Sequence, residues 1–168
     1  FSQSVFYYKK TIFLYKKIYG LSNKKNILIL NYRKAWSEYK SSDFSQAIRT
    51  SLYFLKEVDS NPRFFISSLM ISDIVGILSE SLAFSKPLPE IVKVLAEVQS
   101  YKQSSKIFLG ILDYYSIFDQ NDKIIRLAEK VLFLYKKTKL YPRFIEILFQ
   151  AYLKNNDTLK AYKVIKKL

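Results

Sequence analysis

The sequence predicts an all-α chain: antiparallel helix-turn-helix pairs stacked into an α-solenoid of about nine helices, one domain over residues 1–168. Three observations predict it. Apolar residues recur at spacings of three and four almost throughout, which is the period of one helix face. Only 3 Gly and 4 Pro occur in 168 residues, too few for the many tight turns of a β-sandwich or barrel. A pattern of large apolar residues, a polar turn and then a small residue also returns three times.

Residues 4–19 repeat at seven, with Phe-Tyr-Tyr-Lys-Lys-Thr-Ile followed by Phe-Leu-Tyr-Lys-Lys-Ile-Tyr. Val5, Tyr8, Ile12, Tyr15 and Tyr19 share one side, and Lys9, Lys10, Lys16 and Lys17 gather on another, making a basic amphipathic helix within residues 1–20. Gly20 can close it in the left-handed conformation. Three placements suit such a helix: the first layer of a solenoid, docking on a partner helix, or an anionic membrane surface. Ser22 or Asn23 can cap a helix over 24–40 that carries the cluster Tyr32, Trp36 and Tyr39. The turn Ser41-Ser42-Asp43 starts a helix through about Val58, with Phe44, Ala47, Ile48, Leu52 and Leu55 inward. Asp59-Ser60-Asn61-Pro62 breaks it, and a new helix is expected from Pro62.

Residues 63–84 read as the most buried segment, with Ile66, Leu69, Met70, Ile71, Ile74, Val75, Ile77, Leu78 and Leu82. Ser68, Ser72 and Gly76 form a small-residue ridge that suits a close helix crossing. Asp73 stands out there, either as a ligand contact or on a narrow polar edge. The clearest loop is 84–89, with Pro87 and Pro89. A helix over about 90–101 follows, so residues 62–101 make a longer, diverged helical pair. Helices over about 104–118, 122–137, 142–154 and 158–168 complete the chain. Pro142 suits a first helical position.

The last pair shows the recurring unit most clearly. Leu148, Phe149 and Tyr152 lie on one helix face, Asn155-Asn156-Asp157 makes the turn, and Ala161, Val164, Ile165 and Leu168 line the next helix. Ile111, Tyr114, Tyr115 and Phe118 stand 34 residues before Ile145, Leu148, Phe149 and Tyr152. Asn121-Asp122 stands 35 before Asn156-Asp157, and Ala128 stands 33 before Ala161. An early copy reads Ala35, Trp36, Tyr39, Ser42-Asp43-Phe44 and Ala47. Asp43, Asp122 and Asp157 are the expected N-caps. These residues resemble the tetratricopeptide repeat, a helix–turn–helix of about 34 residues with a small Ala on its second helix. The resemblance covers a little over half the chain, in repeats at 24–58, 104–137 and 141–168.

That resemblance implies a non-catalytic scaffold for protein–protein interaction, within a larger protein or complex, with no cofactor. In the family, partner segments bind the inner faces of the first helices of each pair. Mapped onto this sequence, those positions are Tyr32, Trp36 and Lys40 early, Leu109, Leu112 and Ser116 in the middle, and Arg143, Glu146, Gln150 and Lys154 late. The Lys/Asn pair with which some members clamp a C-terminal carboxylate is missing, since Glu146 and Gln150 stand in its place.

Composition narrows the chemistry. There is no Cys and no His, so zinc and thiol sites lose their usual ligands and the commonest general base is missing. No glycine-rich phosphate loop and no metal-ligand cluster occurs, and no enzyme activity is expected. No apolar run approaches the roughly 20 residues needed to span a bilayer. The chain begins with Phe, as a fragment or processed form would. The compartment is not fixed by these features; the expectation is a soluble domain, either cytoplasmic or tethered to a membrane by a segment outside this chain.

The net charge of +14 is uneven: +8 over residues 1–40, −3 over 41–122 and +9 over 123–168. An anionic partner, nucleic acid or membrane headgroups, is the alternative function that this charge suggests. AT-rich coding bias toward Lys, Ile, Asn, Tyr and Phe is the simpler and favoured explanation. Nucleic acid is disfavoured because the aromatics follow core periodicity and Lys greatly outnumbers Arg. Self-association through the end helices is a further candidate.

Overall fold

The computed structural model describes residues 1–19 and 24–166. Gly20, Ser22, Asn23, Lys167 and Leu168, with the roles read for them above, lie outside the described residues, as does the side chain of Tyr19. All regular structure among the described residues is helical, in nine α-helices and one 3-10 turn. The chain forms two compact units, residues 1–85 and 86–168.

The first unit holds α1 (Ser2–Tyr19), α2 (Lys24–Lys40), α3 (Phe44–Ser60) and α4 (Ser68–Ser85). Each helix packs on the next, and α2 also packs on α4. The core is built from Ile27, Leu28 and Ala35 of α2, Ala47, Phe54 and Leu55 of α3, and Ile74, Leu78 and Leu82 of α4, all nearly or fully excluded from solvent. A buried charge sits among them. The Glu38 carboxylate is fully buried; it accepts a 2.6 Å hydrogen bond from Thr50 and lies 3.1 Å from the Lys34 ammonium.

Three expectations in this unit are corrected. The fourth helix starts at Ser68 rather than Pro62, because Ser67 caps it: its hydroxyl accepts from the Met70 N–H at 3.3 Å. Residues 61–67 are irregular, and Phe65 and Leu69 are exposed. The small-residue ridge makes no tight crossing. Ser68 and Ser72 are exposed, and a Cβ placed on Gly76 would meet nothing within 4 Å. By length and composition α4 could cross a bilayer. Its apolarity has a local cause, since eight of its residues are buried within the unit.

The second unit holds α5 (Leu88–Glu97), α6 (Ser104–Ile117), α7 (Asn121–Val131), a 3-10 turn over Leu132–Tyr135, α8 (Tyr141–Lys154) and α9 (Thr158–Ile165). Consecutive helices pack here too, and α5 also meets α7 and α6 meets α8. The expected 122–137 helix therefore stops early. In a 3-10 turn residues i and i+3 eclipse, which puts Leu132 and Tyr135 inward together and leaves Phe133 outside. The Tyr135 ring stacks on Phe108 at 4.9 Å and meets Phe144 edge-on at 5.9 Å. Burial of that ring pushes its hydroxyl pKa up to about 12.

One turn geometry occurs three times, between α2 and α3, α6 and α7, and α8 and α9. Ser42, Asp119 and Asn156 have φ of 62°, 50° and 59°. The following N–H groups of Asp43, Gln120 and Asp157 donate back five residues, to the carbonyls of Glu38, Tyr115 and Tyr152, at 2.9, 2.8 and 2.9 Å. This left-handed closure satisfies carbonyls that a helix end leaves unpaired. Asp43 and Asp157 are N-caps as expected, accepting from Gln46 and Lys160 N–H groups at 3.3 and 3.1 Å. Asp122 is not a cap. Gln120 holds that place, and Asp122 sits in the first turn of α7, where its carboxylate accepts from Asn155 at 2.7 Å.

The turns correct the repeat register. Aligned on their caps, Gln120 and Asp157, the second and third copies of the turn differ by 37 residues rather than 33 to 35. Burial agrees: Ile107, Phe108, Ile111, Leu112 and Tyr115 then match Phe144, Ile145, Leu148, Phe149 and Tyr152, and only Phe149 is not fully buried. Ile124, not Ala128, takes the place of Ala161.

Candidate functional site

The corrected register sorts the sequence-derived site residues. Seven residues before each cap stand Trp36, Asp113 and Gln150; three before stand Lys40, Ile117 and Lys154; eleven before stand Tyr32, Leu109 and Glu146. The early and late sets keep this phase, whereas the middle set slips. Leu112 is fully buried and belongs to the core, so it lines no surface. Ser116 is exposed but lies one position off the equivalent of Lys40, which is Ile117. Asp113 and Ile117 therefore replace Leu112 and Ser116. No sequence signal marks them, because the turn that fixes their phase is set by Asp119, whose φ of 50° only the backbone shows.

In the first unit the α2–α4 face carries Tyr32, Trp36, Tyr39 and Lys40. The Tyr32 hydroxyl donates to Asp73 at 2.7 Å, and the Tyr39 hydroxyl donates to Glu80. Both pairs are 41 residues apart, and Tyr32 and Tyr39 are two helical turns apart on α2. Burial, then the Asp73 hydrogen bond, raises the pKa of Tyr32, so it is a neutral donor at physiological pH. Asp73 is thus neither a lone ligand group nor a bare polar edge; it ties α4 to α2. Trp36 is half-buried, meets Tyr39 edge-on at 6.1 Å, and lies 5.4 Å under the Lys40 ammonium. Tyr39, Phe44 and Phe84 continue the aromatic strip at centroid distances of 6.0 and 4.9 Å, and Phe84 is largely exposed.

In the second unit the α6–α8 face carries Leu109, Asp113 and Ile117 beside Arg143, Glu146, Gln150 and Lys154. Arg143 pairs with Glu146 at 2.7 Å, and that hydrogen bond raises the guanidinium pKa further. Burial pushes the Asp113 carboxyl up, partly countered by Arg143. Lys154 pairs with Asp119 at 2.5 Å, across to the turn that follows α6. Gln150 is exposed, and Ile117 is 76% exposed. This face is mixed in charge, whereas the α2–α4 face is aromatic with two carboxylates.

A groove of about 680 Å³ also opens in the second unit, lined among others by Glu129, Phe133, Lys136, Tyr141 and Tyr152. The Tyr152 hydroxyl donates to Glu129 at 2.8 Å; burial and that bond raise its pKa. The groove forms where α7 gives way to the 3-10 turn, a break that the apolar period does not announce.

Lys9, Lys10, Lys16 and Lys17 are all exposed on α1. They divide into two rows. Lys9 and Lys16 line a hollow of about 280 Å³ with Ile12, Asn31, Lys34 and Tyr53, while Lys10 and Lys17 lie on the outward side. Among the described residues no cluster of three or more acidic side chains has metal-binding geometry.

Comparison with known protein families, with curated proteins and with solved structures gives no match for this chain.

Proposed function

We propose that this chain is a tetratricopeptide-like α-solenoid that serves as a non-catalytic interaction scaffold, holding a partner helix or peptide within a larger assembly. The observation that carries the reading is the threefold turn, with the same left-handed residue, the same five-residue back-bond and the same cap position after α2, α6 and α8. Within each unit, consecutive helices touch, and α2 also meets α4, α5 meets α7 and α6 meets α8. Stacked helical hairpins that share a core have this pattern. It sets α2 beside α4 and α6 beside α8, so that each unit presents a face made by two alternate helices.

Those faces have the chemistry of segment recognition. Trp36 and Phe84 offer apolar anchors, and Asp73 and Glu80 offer fixed acceptors, which suits an amphipathic segment with basic residues. The α6–α8 face adds Arg143, Gln150 and Lys154 for polar contacts.

The test is a pull-down from source extract, washed at low and then high salt, followed by titration of the retained protein's segment. Trp36→Ala and the pair Arg143→Glu/Lys154→Glu should each weaken binding at least about tenfold, the effect of losing one interface hot spot. Retention that high salt abolishes, or that neither variant changes, would refute the proposal.

A further inference from the structure

The outward side of α1 is unusual for a soluble helix. Val5 is its only buried residue among those described, while Phe6, Tyr7, Phe13 and Ile18 are each 63–67% exposed and Leu14 is 42% exposed. At 100° per residue, Lys10 and Lys17 run down the middle of this side. Phe6 and Phe13 flank them on one edge, and Tyr7 and Leu14 on the other. Lys9 and Lys16 stand just beyond the Phe6/Phe13 edge. None of the four lysines pairs with a carboxylate among the described residues. The chain has no Asp or Glu before Glu38, and Glu38 is buried.

We propose that this side of α1 docks on an anionic phospholipid bilayer, lying in the headgroup plane. The argument is complementarity along the whole helix, about 27 Å for 18 residues. Phe6, Phe13, Leu14 and Ile18 enter the headgroup–acyl boundary. The lysine stems lie along the apolar surface, and their ammoniums reach the lipid phosphates and carboxylates. Other occupants satisfy only half of the surface. A second copy would set four lysines against four. A nucleic acid would pair the lysines yet leave Leu14 and Ile18 in water. The proposal does not rest on the scaffold reading, which uses α2, α4, α6 and α8.

The test uses the whole chain with vesicles of phosphatidylcholine, alone or mixed with phosphatidylserine. The chain should float with the mixed vesicles, bind pure phosphatidylcholine far less, and release in part at high salt. Phe6→Ser/Phe13→Ser and Lys10→Glu/Lys17→Glu should each lower partitioning at least about tenfold. These side chains face solvent, so circular dichroism should be unchanged. Lys160→Glu/Lys163→Glu on α9 should bind as the parent does. A Phe13→Trp reporter in a Trp36→Phe background should shift to the blue on binding and be quenched by brominated acyl chains. The proposal fails if mixed vesicles do not bind, if the α1 variants bind normally, or if the reporter stays in water. It also fails if the α1 face instead drives dimerisation, or if it prefers an oligonucleotide in a way that Phe6→Ser/Phe13→Ser leaves intact.

Discussion

Lys34→Met should be among the most damaging single substitutions in the first unit, although it removes a side chain that still reaches solvent. The reason lies in what it leaves behind. The Glu38 carboxylate is completely excluded from water. One oxygen accepts from Thr50 at 2.6 Å; the other has no hydrogen bond, only the Lys34 ammonium 3.1 Å away. At an effective dielectric of about 20, two unit charges at that distance attract by about 5 kcal/mol. Much of that only offsets desolvation, but removing one partner strands the other. Breaking a buried pair typically costs about 3–5 kcal/mol. Lys34 keeps 15% side-chain exposure, so the lower end, about 3 kcal/mol, is expected, with a fall in Tm on the order of 10 °C. Urea unfolding followed by circular dichroism and by fluorescence of the single Trp, two residues from Glu38, would measure it. The combined variant Lys34→Met/Glu38→Leu/Thr50→Val should recover most of the loss, because a well-packed apolar replacement of a buried ion pair is often neutral or better. A loss under about 1 kcal/mol for Lys34→Met, or a combined variant no more stable than the single one, would refute the stranded-charge argument.

Two further outcomes can be measured with the same assay. Ser42→Gly should raise stability by about 0.5–1 kcal/mol, since Ser42 sits at φ 62°, where a Cβ costs about 1–2 kcal/mol and the entropy of Gly offsets only part of the gain; a destabilised variant would contradict the turn geometry. Alkali should weaken the fold between about pH 10 and 12. Burial holds both Tyr115 and Tyr135 at about 12 against an ordinary value of 10.0, so the unfolded chain loses those protons first and stability falls as pH rises through that window. Tyr135→Phe should reduce this alkaline loss while leaving stability near pH 7 little changed, because the buried hydroxyl of Tyr135 has no hydrogen-bond partner to lose; an unchanged pH profile would count against it.

The sequence by itself determined the helical class and most helix limits. Period and composition act locally: Ala47, Leu52 and Leu55 share a helix face whatever surrounds them, and Asp43 and Asp157 can cap only the residues that follow them. Spacing alone also places Tyr32, Trp36 and Lys40 on one side of α2, whereas the four α1 lysines, expected on one face, divide into two rows. The register of the middle pair was not legible. Asn121-Asp122 looks more like a turn than Asp119-Gln120 does, and only the backbone shows Asp119 at φ 50° with Gln120 as the cap. Three residues of slip moved Leu112 from core to surface in the sequence reading and hid Asp113 and Ile117. Tertiary packing also decided which polar residues answer one another. Nothing local pairs Tyr32 with Asp73 across 41 residues, or brings Thr50 of α3 to Glu38 of α2, whereas Lys34 meets Glu38 as an i,i+4 neighbour on one helix. Helix periodicity states which side of a helix is apolar. Which helix covers that side, and which charge is buried with it, depends on contacts between segments far apart in the chain.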